Sequence, residues 1–286
     1  MVFVDRILTY GRMIKFSHSV FALPFALSGA ALAAVAHPIL PEQVVWIVVA
    51  MVGARSAAMG FNRLVDREID ATNPRTANRE LPRGVISPAA TAWLIGVSSL
   101  ALIFAAYKLN PLCFMLSPVA LGIVFFYSYT KRFTWATQAF LGLALGVAPI
   151  GAWIAITGEL NPEILILGGA VLTWVAGFDI IYSCQDVGFD QESGLYSLPQ
   201  RFGVRGALWI SRGLYVVSFG LFSWAGTAFG MGAIYFAGVF VIGGFLVYEH
   251  LIVKANDLSR VNVAFMTMNG LVSLVYLVFT LGDMLL

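Results

Sequence analysis

Apolar residues gather into nine runs, each about as long as a bilayer crossing: residues 16–36, 43–63, 88–107, 111–129, 135–157, 162–185, 206–229, 232–253 and 262–282. A hydrocarbon core of ~30 Å takes about 20 helical residues to cross. Alternation of polar and apolar positions, the mark of a membrane β-barrel, is absent. The pattern predicts an all-α membrane protein, a bundle of nine transmembrane helices with polar cap loops, in a single domain over residues 1–286. Before the first run, Phe3, Ile7, Tyr10 and Ile14 fall on one side of a helix and Asp5, Thr9 and Arg12 on the other, as in a short helix lying on the membrane. Leu32–Ala36 could pass for a signal-peptide cleavage site, but eight further spans follow and the run is read as a span. Pro24 predicts a kink in run one. Gly142, Gly146 and Gly151 with Pro149 predict close packing or a kink in run five. Ser87-Pro88 reads as the N-cap and first position of the third helix.

Composition narrows the class further. The chain is 59% hydrophobic and 11% charged, against roughly a quarter charged in a soluble domain, and its mean hydropathy is +0.85. The net charge of +2 carries little information; its distribution carries more. Of 17 Lys and Arg residues, all but Arg55 and Lys108 fall in the N-terminal segment or around the loops after runs two, four, six and eight. The positive-inside rule then places the N-terminus and those loops in the cytoplasm, and an odd number of spans places Leu286 outside. An integral protein of a prokaryotic inner membrane follows, with no feature of a nucleic-acid or protein-partner surface. Cys113 and Cys184 fall near opposite membrane faces, too far apart for a disulfide.

The polar residues that interrupt this pattern form two ladders. Asn62, Asp66 and Asp70 sit four apart where run two ends, and in a helix they project from one face. Asp179, Tyr182, Asp186 and Asp190 repeat the arrangement at the end of run six. Five carboxylates at one end of a bundle repel one another and favour protonation unless cations intervene. Mg²⁺ takes oxygen ligands, typically one or two carboxylates with phosphate and water. Two facing ladders therefore suit two Mg²⁺ ions with a diphosphate between them. Lys131, on the same face as Tyr127 at the end of run four, and the arginines of the loops add positive charge. Arg75, Arg79 and Arg83, at intervals of four, either close over an anionic head group or simply fix topology.

Arg55 lies inside run two, where a charge costs ~2.5–3.5 kcal/mol on insertion scales. It must face the bundle, either in an ion pair with an Asp or as an anchor for a substrate carboxylate. Glu249 and His250, near the end of run eight, are assigned structural roles. A secondary transporter or ion channel is a competing class, because Asp-lined helices also mark ion paths. Charge gathered at one end, rather than at the midplane, favours a capped enzyme site.

These motifs resemble those of the UbiA superfamily of intramembrane prenyltransferases. Asn62-Arg63-x-x-Asp66-x-x-x-Asp70 is similar to the first family motif and Asp179, Tyr182, Asp186 and Asp190 to the second; Tyr127, Lys131 and Arg132 resemble a third signature. Arg63 stands where the first motif often has Asp, and Glu80 where the cap loop usually has Pro. Lys15 to Pro24 resembles the 4-hydroxybenzoate polyprenyltransferase subgroup, some of whose members act on a naphthoate for menaquinone. The resemblance implies Mg²⁺-dependent transfer of a polyprenyl group from its diphosphate to a small aromatic acid, with two Mg²⁺ held by Asn62, Asp66, Asp70, Asp186 and Asp190. Asp66, Asp186, Asp179 and Tyr127 are the expected catalytic group. Asn62, Arg55, Lys131, Arg132, Arg79 and Tyr182 are the expected substrate contacts.

Overall fold

The computed structural model describes residues 2–286, and its regular structure is almost entirely helical. A first helix, α1 (Val2–Met13), is followed by a 3₁₀ turn (Phe16–Phe21) and α2 (Leu23–Ala33). Next come α3 (Pro41–Val65), a short α4 (Arg67–Thr72), α5 (Pro88–Leu109), α6 (Pro111–Thr130) and α7 (Thr137–Thr157). The second half comprises α8 (Pro162–Ser183), α9 (Val187–Glu192), α10 (Leu198–Ala228), α11 (Ala233–Ile252), α12 (Val261–Val263) and α13 (Asn269–Leu285). Proline in the first turn starts most of the long helices, where its missing N–H costs nothing. Ser87 Oγ accepts from Ala90 N, as its N-cap position predicts.

On length and composition, seven helical stretches are able to cross a membrane: α3, α5, α6, α7, Pro162–Glu192, α11 and Val261–Leu285. The other two apolar runs take different forms. Run one is divided between the 3₁₀ turn and α2, because Pro24 begins a new helix at its first turn instead of kinking a continuous one. Run seven lies within α10, whose hydropathy is diluted by Arg201, Arg205 and Arg212 and whose backbone breaks at Gly203 (φ 69°, ψ 164°). Along α1 the inner side holds buried Ile14 and half-buried Tyr10, while Arg12 is exposed and donates to Thr9. The side chains of Phe3, Asp5 and Ile7 lie outside the described residues.

Helix α8 is the central element, packed against α7 and α10, while α3 pairs with α5, α2 with α7 and α11 with α13. Small residues permit the closest of these approaches. A Cβ on Gly142 would stand 2.3 Å from the Leu172 carbonyl oxygen, and one on Gly29 2.4 Å from that of Pro149. Gly151 differs from the packing expected of it, since nothing lies within 4 Å of its would-be Cβ. A buried aromatic cluster of Phe25, Trp174, Phe178, Phe222 and Tyr276 fills the space among α2, α8, α10 and α13. Outward positions such as Trp93 and Phe240 are exposed and apolar. Together with the spanning helices, they make this an integral membrane protein.

Candidate active site

Both ladders bend at their central aspartate. Helix α3 stops at Val65, and Asp66 (φ −91°, ψ 5°) separates it from α4. Asp186 (φ −101°, ψ 4°) ends a 3₁₀ turn, Cys184–Asp186, and precedes α9. Each occupies the sparsely allowed bridge region of backbone space. The expectation of continuous helical ladders is corrected here: spacing of four is kept, but the helix is broken at the residue that matters most. At the first break, Arg132 donates to the freed Val65 carbonyl at 3.1 Å.

The carboxylates line one polar cavity, and basic side chains stand between them. Asp66, 2% exposed, meets Lys131 Nζ at 2.6 Å and the Arg132 guanidinium at 2.8 Å, and accepts from Asn62 at 3.0 Å. Both oxygens of Asp70 accept from Arg79, at 2.8 and 2.7 Å, with buried Arg63 3.8 Å away. Asp186 takes a two-pronged contact from Arg75, whose Nε lies at 2.8 Å, and a further bond from Asn73 at 3.2 Å. Asp190 accepts from Ser197 at 2.7 Å. Among the described residues, no three His, Cys, Asp or Glu side chains converge closely enough to hold an ion. Basic side chains stand between the carboxylates of the two ladders. Three of the carboxylates, Asp66, Asp70 and Asp186, are paired with five cations from α3, the end of α6 and the 73–83 segment, which offsets much of their mutual repulsion. The donor set itself is all oxygen and opens on a shared cavity, which suits Mg²⁺ if substrate phosphate completes the shell.

The 73–83 segment is a series of turns, not a helix with one basic face. Arg75 and Arg79 reach separate aspartates, and Arg83 is exposed. Burial works against the Arg75 charge, yet hydrogen bonds to Asp186 and Tyr182 outweigh it and raise its pKa above the ordinary value. Lys15 lines the same cavity from a left-handed backbone conformation (φ 51°). Burial and the neighbouring charges of Arg63 and Arg79 lower its pKa.

Deeper in the bundle the polar cavity, of about 260 Å³, adjoins a second of about 200 Å³ walled by α3, α5, α6 and α7. Arg55, Met59, Tyr127, Leu141 and Leu145 border both. The second is apolar, and Ala54, Ala58, Ala120 and Gly151 keep its walls thin. Among the described residues Arg55 makes no ion pair with an Asp, and its Nε is buried without a hydrogen-bond partner. Asp179 and Tyr127 both face the polar cavity. Asp179 makes no bond to Tyr182, whose hydroxyl accepts from Arg75 at 2.9 Å. Eleven of the twelve expected site residues thus border one chamber, and the twelfth, Arg132, reaches it through its ion pair with Asp66. Sequence reasoning missed Asn73, Ser197 and Phe265, which also line it; only Asn73, beside the ladder's end, carried a signal.

Fold and site define an integral membrane protein with an acid- and base-lined chamber adjoining an apolar cavity. Its residues 22–271 match the UbiA prenyltransferase family, to which the chain belongs. It is an aromatic prenyltransferase by that membership and by its relatives. One is the "4-hydroxybenzoate octaprenyltransferase" of Azoarcus sp. (strain BH72), 31% identical over 96% of each chain. Among solved structures, a UbiA homolog from Aeropyrum pernix K1 is 33% identical, with a TM-score of 0.85 over 93% of this chain and 98% of that one. A homolog from Archaeoglobus fulgidus bound to GPP and Mg²⁺ shares the fold (TM-score 0.71, 97% and 100% covered) at 19% identity.

Proposed function

We propose that the protein transfers a polyprenyl group from polyprenyl diphosphate to the ring of 4-hydroxybenzoate, for ubiquinone biosynthesis. The observation that carries this is the junction of a charged chamber with an apolar tunnel at Arg55 and Tyr127. A diphosphate and a long hydrocarbon need those two environments side by side. The relatives' names supply the acceptor.

Asn62, Asp66, Asp70, Asp186 and Asp190 would hold two Mg²⁺, which on binding supply positive charge to the diphosphate as it leaves. Lys131, Arg75 and Arg79 line the chamber, with Arg132 behind Asp66, and exchange carboxylate for phosphate partners. The allylic C–O bond breaks, its electron pair leaving with diphosphate, and the cation stays beside Tyr127 and Asp179. Arg55 pairs with the acceptor's carboxylate at the mouth of the tunnel, and its planar fork suits that group. The ring carbon next to the hydroxyl is the most electron-rich position left open. It attacks the allylic carbon, and the ring proton passes to Asp179. The tunnel walls exclude water from the cation.

All nine apolar runs cross the membrane in this reading, within one domain, with the N-terminus and both cap loops cytoplasmic. The test is transfer from labelled polyprenyl diphosphate by purified protein in liposomes, offered 4-hydroxybenzoate and dihydroxynaphthoates in parallel. Labelled 4-hydroxybenzoate product supports the proposal. Turnover on a naphthoate alone would move it to menaquinone synthesis, and ion flux without transfer would refute it.

A further inference from the structure

Four helices meet at a buried polar cluster that the proposed reaction does not use. Asn269, at the start of α13, has no exposed surface. Trp174 Nε1 of α8 donates to its Oδ1 at 2.7 Å. Its Nδ2 donates to the Ala264 carbonyl at 3.0 Å and approaches Glu249 Oε2 of α11 at 3.5 Å. That same Glu249 oxygen accepts from Tyr215 of α10 at 2.6 Å. Both ends of the Asn269 amide are thus engaged, which fixes its orientation.

The carbonyl it satisfies belongs to a π-helical turn, Ala264–Met268, inserted between α12 and α13. Such a turn carries one more residue than an α-helical turn and leaves the ladder irregular; such turns recur at functional sites. Phe265 sits within that turn. Phe265 lines the polar chamber and lies against Tyr182, with ring centroids 4.2 Å apart. It also meets Phe178 at 5.5 Å and His18 at 5.4 Å. Tyr182 in turn accepts from Arg75, which grips Asp186. A continuous run of contacts therefore leads from a cluster inside the bundle to the residues at the diphosphate end.

We infer that Asn269 is a positioning residue: by holding the π-turn open, it seats Phe265 against Tyr182 and thereby sets Arg75 and Asp186 for the prenyl diphosphate. This rests on the transfer reading above. Without the Asn269 amide, the Ala264 carbonyl and the Trp174 N–H lose these side-chain bonds, and the turn is free to relax towards α-helical pairing. Phe265 then rotates away from the Tyr182 ring. Tyr182 is displaced, but the acceptor's end of the chamber, near Arg55, is not.

The test compares steady-state kinetics of the wild type, Asn269→Ala, Phe265→Leu and the double variant in liposomes. Asp283→Ala serves as a control, because Asp283 caps α11 at the Gly232 and Tyr235 amides. Asn269→Ala and Phe265→Leu should each raise the KM for prenyl diphosphate roughly ten-fold, the equivalent of about 1.4 kcal/mol. Acceptor KM should stay unchanged. The double variant should be no worse than the more affected single one, as expected when two residues act through one path. Asn269→Gln, which keeps the amide, should recover part of the loss. Asp283→Ala should lower the melting temperature without moving either KM. Where Asn269→Ala does not insert, Trp174→Phe removes one of the bonds that hold the amide and should shift the same KM. Additive losses, equal effects on both substrates, or a fall in melting temperature alone would overturn the inference. No transfer by the wild type would instead refute the transfer reading itself.

Discussion

Two glycines in α7, nine residues apart, make opposite predictions. Gly151 borders the apolar tunnel and has open space where a Cβ would project; Gly142 abuts the Leu172 carbonyl. Gly151→Leu should fold, with some gain from removing a mid-helix glycine (~0.8–1 kcal/mol against alanine). Its side chain should occupy the tunnel about 15 Å along the helix from Leu141, where the two cavities meet. A donor long enough to reach that point loses the burial of about one isoprene unit. At ~0.8 kcal/mol per buried carbon, that is about 3–4 kcal/mol, or roughly a few hundred-fold in KM. A donor of one or two isoprene units ends before Gly151 and should be spared. Kinetics with a short and a long allylic diphosphate, beside thermal melting of the detergent-solubilised protein, measures both parts. Gly142→Leu should instead lose stability by about 1–3 kcal/mol or more through overpacking. Equal losses for short and long donors in Gly151→Leu, or unchanged kinetics for both, would refute the tunnel assignment.

Arg55→Gln should raise the acceptor's KM by about ten- to a hundred-fold, the worth of a charge-assisted pair of about 1.5–3 kcal/mol, and leave prenyl diphosphate KM near wild type. Equal effects on both substrates would make Arg55 structural. For orientation, single cysteines at Arg75 and Leu195 in a cysteine-free background should resist an impermeant thiol reagent applied from outside intact cells. Labelling at either position would place the chamber on the other face.

Much of this could be read from hydropathy and spacing, and the failures have physical causes. The apolar runs located every long helix, because lipid-facing helices must be apolar almost all round. Run seven and run one were harder: α10 carries three arginines at its start, and Pro24 opens a helix where it was expected to bend one. Spacing of four brought Asn62, Asp66 and Asp70 to one chamber with Asp179, Asp186 and Asp190. Spacing alone does not reveal that a helix ends at Asp66 or Asp186, since that depends on groups distant in sequence, such as Arg132 at the Val65 carbonyl. The partners of the aspartates were invisible for the same reason. Arg75 and Asp186 meet only because the 73–83 segment folds back over the second ladder. The π-turn at Ala264–Met268 is stabilised by Asn269, whose other contacts come from α8 and α11, so no local pattern could announce it.

The central claim is that Asp66 and Asp186, at the two helix breaks, drive departure of the diphosphate. The most direct measurement is prenyl transfer to 4-hydroxybenzoate by Asp66→Asn and Asp186→Asn in liposomes, titrated with Mg²⁺. Each substitution nearly preserves shape and removes a charge. Loss of one preorganised electrostatic group costs about 2.7–4 kcal/mol, or 10²–10³ in kcat. Folded, inserted variants with turnover reduced at least that far, and not rescued by excess Mg²⁺, are the predicted result. Turnover near wild type in either variant would contradict it.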